Sequence, residues 1–326
     1  MLEHGGRIRK AAARYGIPPE DWLDLSTGIS PAGWPVPPLP AECWQWLPEA
    51  GDGLEEAARR YYGCGHLLAV AGSQAAIQSL PGLRAPGRVG VLAPAYAEHG
   101  LAWARGGHRV EPLAPEEISA ELDRLDVLLL VNPNNPTGMR FPPETLCAWL
   151  ERLAARGGWL VVDEAFMDAT PEESMAAHAG AAGLVVLRSL GKFFGLAGAR
   201  VGFVLAWPEL LQRLDEALGP WTVAHPARHA ARLALADEAW QSAGRQRLLH
   251  ASTRLAGLLA RHGLSPAGGT ALFQWVRCER ALAIQDQLAK TGILVRRFDD
   301  PGSLRFGLPG GEKDWERLEQ ALRRLS

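Results

Sequence analysis

Four short apolar runs limit the folds open to this chain more than any other feature. Residues 88–93, 126–131, 159–162 and 183–187 read as buried strands, and amphipathic stretches of helical pattern lie between them. Such alternation forms a mostly parallel central sheet with helices on both faces, an α/β fold. Ligands of these sheets bind beyond the carboxyl ends of the strands. Every polar cluster here follows one of the runs: Pro94-Ala95-Tyr96, the turn from Asn132 to Gly138, Asp163-Glu164-Ala165-Phe166, and Ser189 to Lys192. That convergence points to one site.

Lys192 is the residue on which the chemistry turns. The chain uses arginine almost everywhere it needs positive charge and has only Lys10, Lys192, Lys290 and Lys313. Lys192 lies in an apolar, glycine-punctuated segment, with Ser189 three residues before it and Arg200 eight after it. Arginine stays protonated, whereas a lysine amine, about 10.4 when free, is lowered by burial or a nearby cation until it attacks carbonyls. The placement therefore suits a nucleophile better than a solvated charge.

The remaining candidates each carry two readings. Asp163 ends the run 159–162, where an unpaired carboxylate is costly; it has a cationic or protonated partner, or it caps the next segment. Asn135 satisfies its own turn or offers its amide to a ligand. Tyr96 packs, or stacks on a ring. Gly72-Ser73-Gln74 opens a helix and so presents backbone N–H groups suited to a phosphate, as any helix start does.

Beyond residue 207 the pattern changes. Residues 207–262 read as helical; 272–276, 292–296 and 303–306 suit strands, and 314–325 an amphipathic helix, together a smaller α+β lobe. The proline-rich stretch 31–48 reads as an extended arm. The expected division is 1–48 as N-terminal arm and connection, 49–220 as the large domain and 221–326 as the small C-terminal domain, completed by part of the arm. The net charge of −2 gives no field for nucleic acid or anionic membrane. No run approaches a membrane span, and no basic-then-apolar leader opens the chain. Cys43, Cys64, Cys147 and Cys278 have no metal-type spacing, which predicts no metal site, no disulfide framework and a reduced, cytoplasmic protein.

Asn-Pro-Thr-Gly at 135–138, Asp163-Glu164-Ala165, and Ser-x-x-Lys with Ala-Gly-x-Arg over 189–200 resemble the fold-type I pyridoxal-phosphate enzymes, near their histidinol-phosphate aminotransferase branch. The likeness runs along almost the whole chain. It implies the fold-type I transferase fold, pyridoxal 5'-phosphate as cofactor, and a homodimer with sites at the subunit interface. It further implies Lys192 as the Schiff-base lysine, Asp163 on the pyridine nitrogen, Asn135 on the ring oxygen and Tyr96 over the ring. Gly72, Ser73, Gln74, Ser189 and Arg200 would then surround the cofactor phosphate.

Four further segments are similar to the L-threonine-O-3-phosphate decarboxylases of cobalamin biosynthesis: His4-Gly5-Gly6 with Arg7-Ile8-Arg9, the stretch from Leu23 through Gly28 to Pro31, Gly72 to Ile77, and Pro94 to His99. Read alone, His-Gly-Gly is a flexible start and the Ser26 segment a turn. The resemblance makes His4, Gly28, Arg296 and Arg305 substrate-binding residues, Arg305 for the carboxylate and Arg296 with His4 for the phosphate. Bidentate forks suit both groups, with surface salt bridging as the plainer role.

Three positions depart from the aminotransferase pattern. Phe166 replaces a tyrosine and cannot donate a hydrogen bond. Ser30 stands for an asparagine, and Trp46-Leu47 for a tyrosine that reaches the partner's phosphate. The expected reaction is decarboxylation of L-threonine O-3-phosphate to (R)-1-amino-2-propanol O-2-phosphate. The alternatives are transamination of a histidinol-phosphate-type substrate, and a non-catalytic cofactor-binding scaffold.

Overall fold

The computed structural model describes residues 4–325. Their strands are β1 (Leu23–Leu25), β2 (Leu68–Val70), β3 (Arg88–Leu92), β4 (Arg109–Leu113), β5 (Val127–Val131), β6 (Trp159–Asp163), β7 (Leu184–Ser189), β8 (Gly202–Leu205), β9 (Gly268–Thr270), β10 (Phe273–Arg277), β11 (Ile293–Phe298) and β12 (Ser303–Gly307). The chain divides into two compact units. The larger comprises Gly33–Asn135 and Arg140–Ala243; the smaller holds the segments up to Ala32, Pro136–Met139 and from Gly244 onward.

The larger unit carries a seven-stranded sheet in the order β2-β8-β7-β6-β5-β3-β4. Five strands run parallel, and all four apolar runs noted in the sequence are among them. β5 and β6 are buried at every position, as expected of strands covered on both faces. The helix Pro143–Ala154 shows how the covering works. Proline occupies its first turn, and Leu146, Trp149, Leu150 and Leu153 recur at helical spacing on its buried side.

β8 runs antiparallel to β7, and β2 antiparallel to β8. That hairpin logic places Ser189, Gly202 and Val70 in line across three strands. The residues following β2 and β7 and preceding β8 therefore meet at one end of the sheet.

In the smaller unit a five-stranded sheet runs β1-β11-β12-β10-β9. β1 joins parallel to β11, while β10 and β12 pair antiparallel. The strand β1 went unread in the sequence because three residues carry too little period. The helix Glu312–Arg323 buries Trp315, Leu318, Ala321 and Leu322.

The observed division differs from the expected one at its edges. Residues 221–243 go with the larger unit, where Arg228 of the helix His225–Ala236 forms charge-assisted bonds to Asp52 at 2.7 Å and Glu55 at 2.8 Å. Pro136–Met139 joins the smaller unit because its backbone packs on β9: a Cβ at Gly138 would stand 2.2 Å from the Gly269 carbonyl oxygen. The arm contains a short helix, Glu42–Gln45, within an otherwise irregular run.

Candidate active site

Asp163 closes β6, and its carboxylate is 4% exposed. The Ala165 N–H donates to Oδ1 at 3.0 Å, and His99 Nε2 lies 2.8 Å from Oδ2. His99 is itself 1% exposed, on the helix Glu98–Arg105 that follows β3. Two hydrogen bonds fix the plane of the carboxylate. Histidine here was not singled out in the sequence. The signal was available: Tyr96 and His99 are three residues apart at the start of a helix, and their rings meet edge to face at 6.0 Å.

Tyr96 donates its hydroxyl to Gln74 Oε1 at 3.2 Å, and Gln74 Nε2 approaches Glu98 at 3.4 Å. Burial, then the charges of Glu98 and Asp163, push the Tyr96 phenol up to about 12, so it stays neutral and able to donate. The Gln74 side chain thus supports Tyr96.

The turn after β5 is held by its neighbours of Asn135. Asn132 exchanges two hydrogen bonds with the Phe141 backbone, and Asn134 Nδ2 donates to the Pro94 carbonyl at 2.9 Å. The second bond ties the Asn135 turn to the loop that bears Tyr96. Sequence reading placed all the asparagine function on Asn135 and missed these two supports.

Lys192 leaves β7 through a loop closed by the bonds Leu190 N–H to Val201 O and Leu196 N–H to Leu190 O. Its Nζ lies 5.5 Å from the centroid of Phe166, the residue that follows the β6 cluster. Ser189 ends β7 and its hydroxyl accepts from the Gly191 N–H at 3.3 Å. Arg200 adopts a left-handed conformation, φ 54°, which turns its guanidinium toward Gly72. Gly72 has φ +70°, and a Cβ there would come within 2.8 Å of Arg200 Nη2. A Cβ at Gly202 would meet the Ser73 nitrogen at 2.6 Å. The two glycines therefore let Arg200 approach Gly72, and let Gly202, the cross-strand partner of Ser189, approach Ser73. Arginine, hydroxyl and close backbone are the donors a phosphate requires.

Behind this face sits a charge cluster that sequence reading also missed. Arg188, 1% exposed, donates to Glu164 at 2.5 Å and to Asp168 at 2.6 Å, and lies over the Tyr62 ring at 4.6 Å. Burial alone would lower the Arg188 guanidinium, but Asp168 and Glu164 carry it above its ordinary value. Burial pushes Glu164 up against the pull of Arg188. Side chains alternate along strands, so Asp163 and Ser189 face one way while Glu164 and Arg188 face the other. The ion pairs pin together the ends of β6 and β7, which carry Asp163 and Ser189.

The smaller unit assembles a second constellation. Arg296 and Arg305 are direct cross-strand partners on β11 and β12. Arg305 Nη2 donates to the Ser26 carbonyl at 2.7 Å, and the Ser26 hydroxyl accepts from the Gly6 N–H at 2.8 Å. A Cβ at Gly5 would stand 2.3 Å from the Ser26 oxygen, so the His-Gly-Gly opening is a close backbone approach, not merely a flexible start. His4, Ser26 and Arg296 line a common cavity. Gly28 is buried in the loop after β1, beyond Thr27, whose carbonyl abuts Gly307. Burial and the adjacent Arg296 charge push the Arg305 guanidinium down to about 10, still cationic at neutral pH. Two neighbouring cations of this kind favour bound anions.

The aminotransferase class I and II family matches residues 51–325. A threonine-phosphate decarboxylase of Pseudomonas aeruginosa is 59% identical over 322 residues, covering 99% of this chain and 97% of that one. A second, from a Sinorhizobium species, is 42% identical over 333 residues, covering 99% and 98%. Among solved structures, a histidinol-phosphate aminotransferase from Sinorhizobium meliloti in complex with pyridoxal-5'-phosphate superimposes with a TM-score of 0.82 at 22% identity, over 100% of this chain and 96% of that chain.

Proposed function

The chain belongs to the aminotransferase class I and II family and, within it, to the threonine-phosphate decarboxylases, and on that premise we propose that it converts L-threonine O-3-phosphate to (R)-1-amino-2-propanol O-2-phosphate and carbon dioxide. The product is a precursor of the linker in the corrinoid nucleotide loop, which puts the enzyme in cobalamin biosynthesis. Pyridoxal 5'-phosphate, when bound, supplies the electron sink that takes up the pair left by the departing carboxylate.

The residues present fit that cofactor. Lys192 would be the amine for its aldehyde, and Asp163, held by His99 and Ala165, would keep the pyridine nitrogen protonated. Asn135 would donate to the ring oxygen, and Tyr96 would cover the ring. The cup of Gly72, Ser73, Ser189 and Arg200 takes the phosphate, with Gln74 holding Tyr96 in place. Phe166 packs beside Lys192 and donates nothing, which leaves the ring oxygen to Asn135.

The single observation that carries the substrate assignment is the cross-strand pair Arg296 and Arg305. A substrate with both a carboxylate and a phosphate answers two adjacent guanidiniums. Arg305 holds the carboxylate, Arg296 and His4 the phosphate, and the Gly28 backbone lines the pocket. Clamping both ends fixes the bond to be broken, and orientation decides whether carbon dioxide or the Cα proton leaves. Lys192 would be the group that returns a proton to Cα.

We place a second copy of the chain over the exposed side chains Trp44, Trp46, Leu47 and Trp221, which are 59–71% exposed. Trp221 and neighbouring Pro48 also line a cavity of about 500 Å³. Apolar surface of this kind marks a protein contact, and Trp46-Leu47 would add contact area where the aminotransferase pattern has a tyrosine. The setting is cytoplasmic, with the cysteines as thiols.

The test is product identity. Purified protein supplied with pyridoxal phosphate, L-threonine O-3-phosphate and 2-oxoglutarate releases carbon dioxide and forms no glutamate. Glutamate from histidinol phosphate and 2-oxoglutarate, without carbon dioxide from the first mixture, would overturn the assignment.

A further inference from the structure

Ser26 follows β1, is 2% exposed, and has every polar atom bonded within the protein. Its N–H donates to Asp24 Oδ1 at 2.9 Å, and its hydroxyl donates to the same oxygen at 2.5 Å. The hydroxyl accepts in turn from the Gly6 N–H, and the Ser26 carbonyl accepts from Arg305 Nη2 at 2.7 Å. That carbonyl oxygen is also the atom a Cβ at Gly5 would strike at 2.3 Å. One residue thus joins an aspartate, the His-Gly-Gly opening and an arginine, all within the smaller unit.

Asp24 sits between the buried Leu23 and Leu25 on β1, opposite Leu294 of β11. Aspartate is depleted in strands, and here its carboxylate serves the turn that follows by capturing the N–H two residues on. The second donor on the same oxygen makes that turn rigid. N–H and hydroxyl together close a ring that fixes χ1 of Ser26 and the orientation of the peptide leading into it. From this fixed base the Ser26 carbonyl reaches the guanidinium, and a charge-assisted bond to a carbonyl so held gives Arg305 its placement. Asp24 also acts by charge, raising the Arg305 guanidinium against burial and Arg296.

We propose that Asp24 is a positioning residue for decarboxylation: by holding Ser26 it sets where the Arg305 guanidinium grips the substrate carboxylate. The inference deepens the proposed function and rests on its reading of Arg305 as the carboxylate ligand.

The test compares holoenzymes carrying Asp24→Ala, Asp24→Asn and Asp24→Glu. The amide oxygen of asparagine still accepts both Ser26 donors, glutamate keeps the charge but displaces it, and alanine removes both. With L-threonine O-3-phosphate, kcat/KM for carbon dioxide release falls about tenfold to a hundredfold in the alanine and glutamate variants, and asparagine recovers most of the loss. Inhibition by (R)-1-amino-2-propanol O-2-phosphate, which has no carboxylate, stays within about twofold throughout. In deuterium oxide, substrate recovered from the alanine variant carries more deuterium at Cα per carbon dioxide released, because a carboxylate held off its line yields its place to the Cα proton. Should alanine fail to fold, the glutamate and asparagine pair decides the question alone. Substrate and product weakened alike, an asparagine variant as poor as the other two, or variants that all match the unaltered enzyme would each overturn the role. Arg305→Met separates that failure from failure of the premise. If it leaves kcat/KM unchanged, Arg305 does not hold the carboxylate, and the substrate reading falls together with the inference. If it lowers kcat/KM while the Asp24 variants do not, only the inference falls.

Discussion

His99 Nε2 and Asp163 Oδ2 stand 2.8 Å apart in a place that water barely reaches. The imidazole N–H and the Ala165 N–H between them determine where the carboxylate points, and a hydrogen bond to a charged group is worth about 1.5–3 kcal/mol. His99→Phe keeps the ring volume and removes the donor. Cofactor affinity should fall by about tenfold to a hundredfold, read by absorbance titration of the apoenzyme, with His99→Gln recovering part of it. Titration curves for the phenylalanine variant and the unaltered protein that coincide would show that Asp163 needs no second donor.

Arg188 supplies a harsher test of the scaffold. Its guanidinium neutralises Glu164 and Asp168 in a region without solvent. Arg188→Met leaves two buried carboxylates, an uncompensated charge that costs about 3–5 kcal/mol. Denaturant unfolding should report that loss, and Arg188→Lys should recover little of it, because one ammonium does not reproduce a fork that bridges both acids. Combining Arg188→Met with Glu164→Gln and Asp168→Asn should be less damaging than Arg188→Met alone, since it removes the stranded charges as well.

The difference between what was legible and what was not follows from where the information resides. β3, β5, β6 and β7 were readable because strands buried on both faces are continuously apolar. Lys192, Asp163 and Asn135 stood out because each breaks such a pattern at a strand end. β1 and β9 have three residues each, too few to show a period; β1 draws its pairing from Ile293 to Val295, far away in the sequence, and β9, which carries no alternation, folds back on Phe273 to Trp275 through a tight turn. The arginine pair Arg296 and Arg305 was visible as two residues, but their adjacency depends on register, which no local spacing encodes. Arg188 was hidden for a related reason. A charge inside an apolar run reads as a strand edge until its two carboxylates are located.

Gly72 tests the phosphate cup. At φ 70° and ψ 157°, a region essentially only glycine occupies, an alanine is strained by about 1–3 kcal/mol, and its Cβ would press on the Arg200 guanidinium. Because that guanidinium is the end of a flexible side chain it can move away, so Gly72→Ala should fold. Its cofactor affinity should drop by about tenfold, with a smaller loss for pyridoxal lacking the phosphate. An equal loss for both ligands would remove Arg200 from the phosphate contact.

Tyr96 gives the pH dependence its sign. Its phenol is raised from an ordinary 10.0 to about 12 by burial first and then by Glu98 and Asp163. Below pH 10 the phenol is protonated in both folded and unfolded chains, and its contribution to stability is fully present. Between pH 10 and about 12 the unfolded chain gives up the proton while the folded one retains it, so stability is lost as pH rises through that window. Tyr96→Phe cannot ionise and lacks this slope. Urea midpoints measured at intervals from pH 8.5 to beyond 11 should therefore fall more steeply for the unaltered protein than for Tyr96→Phe, with parallel curves at the acid end of the range. Curves parallel throughout would mean that the phenol ionises alike in both states, and that the bond from Tyr96 to Gln74 does not depend on a neutral, desolvated ring.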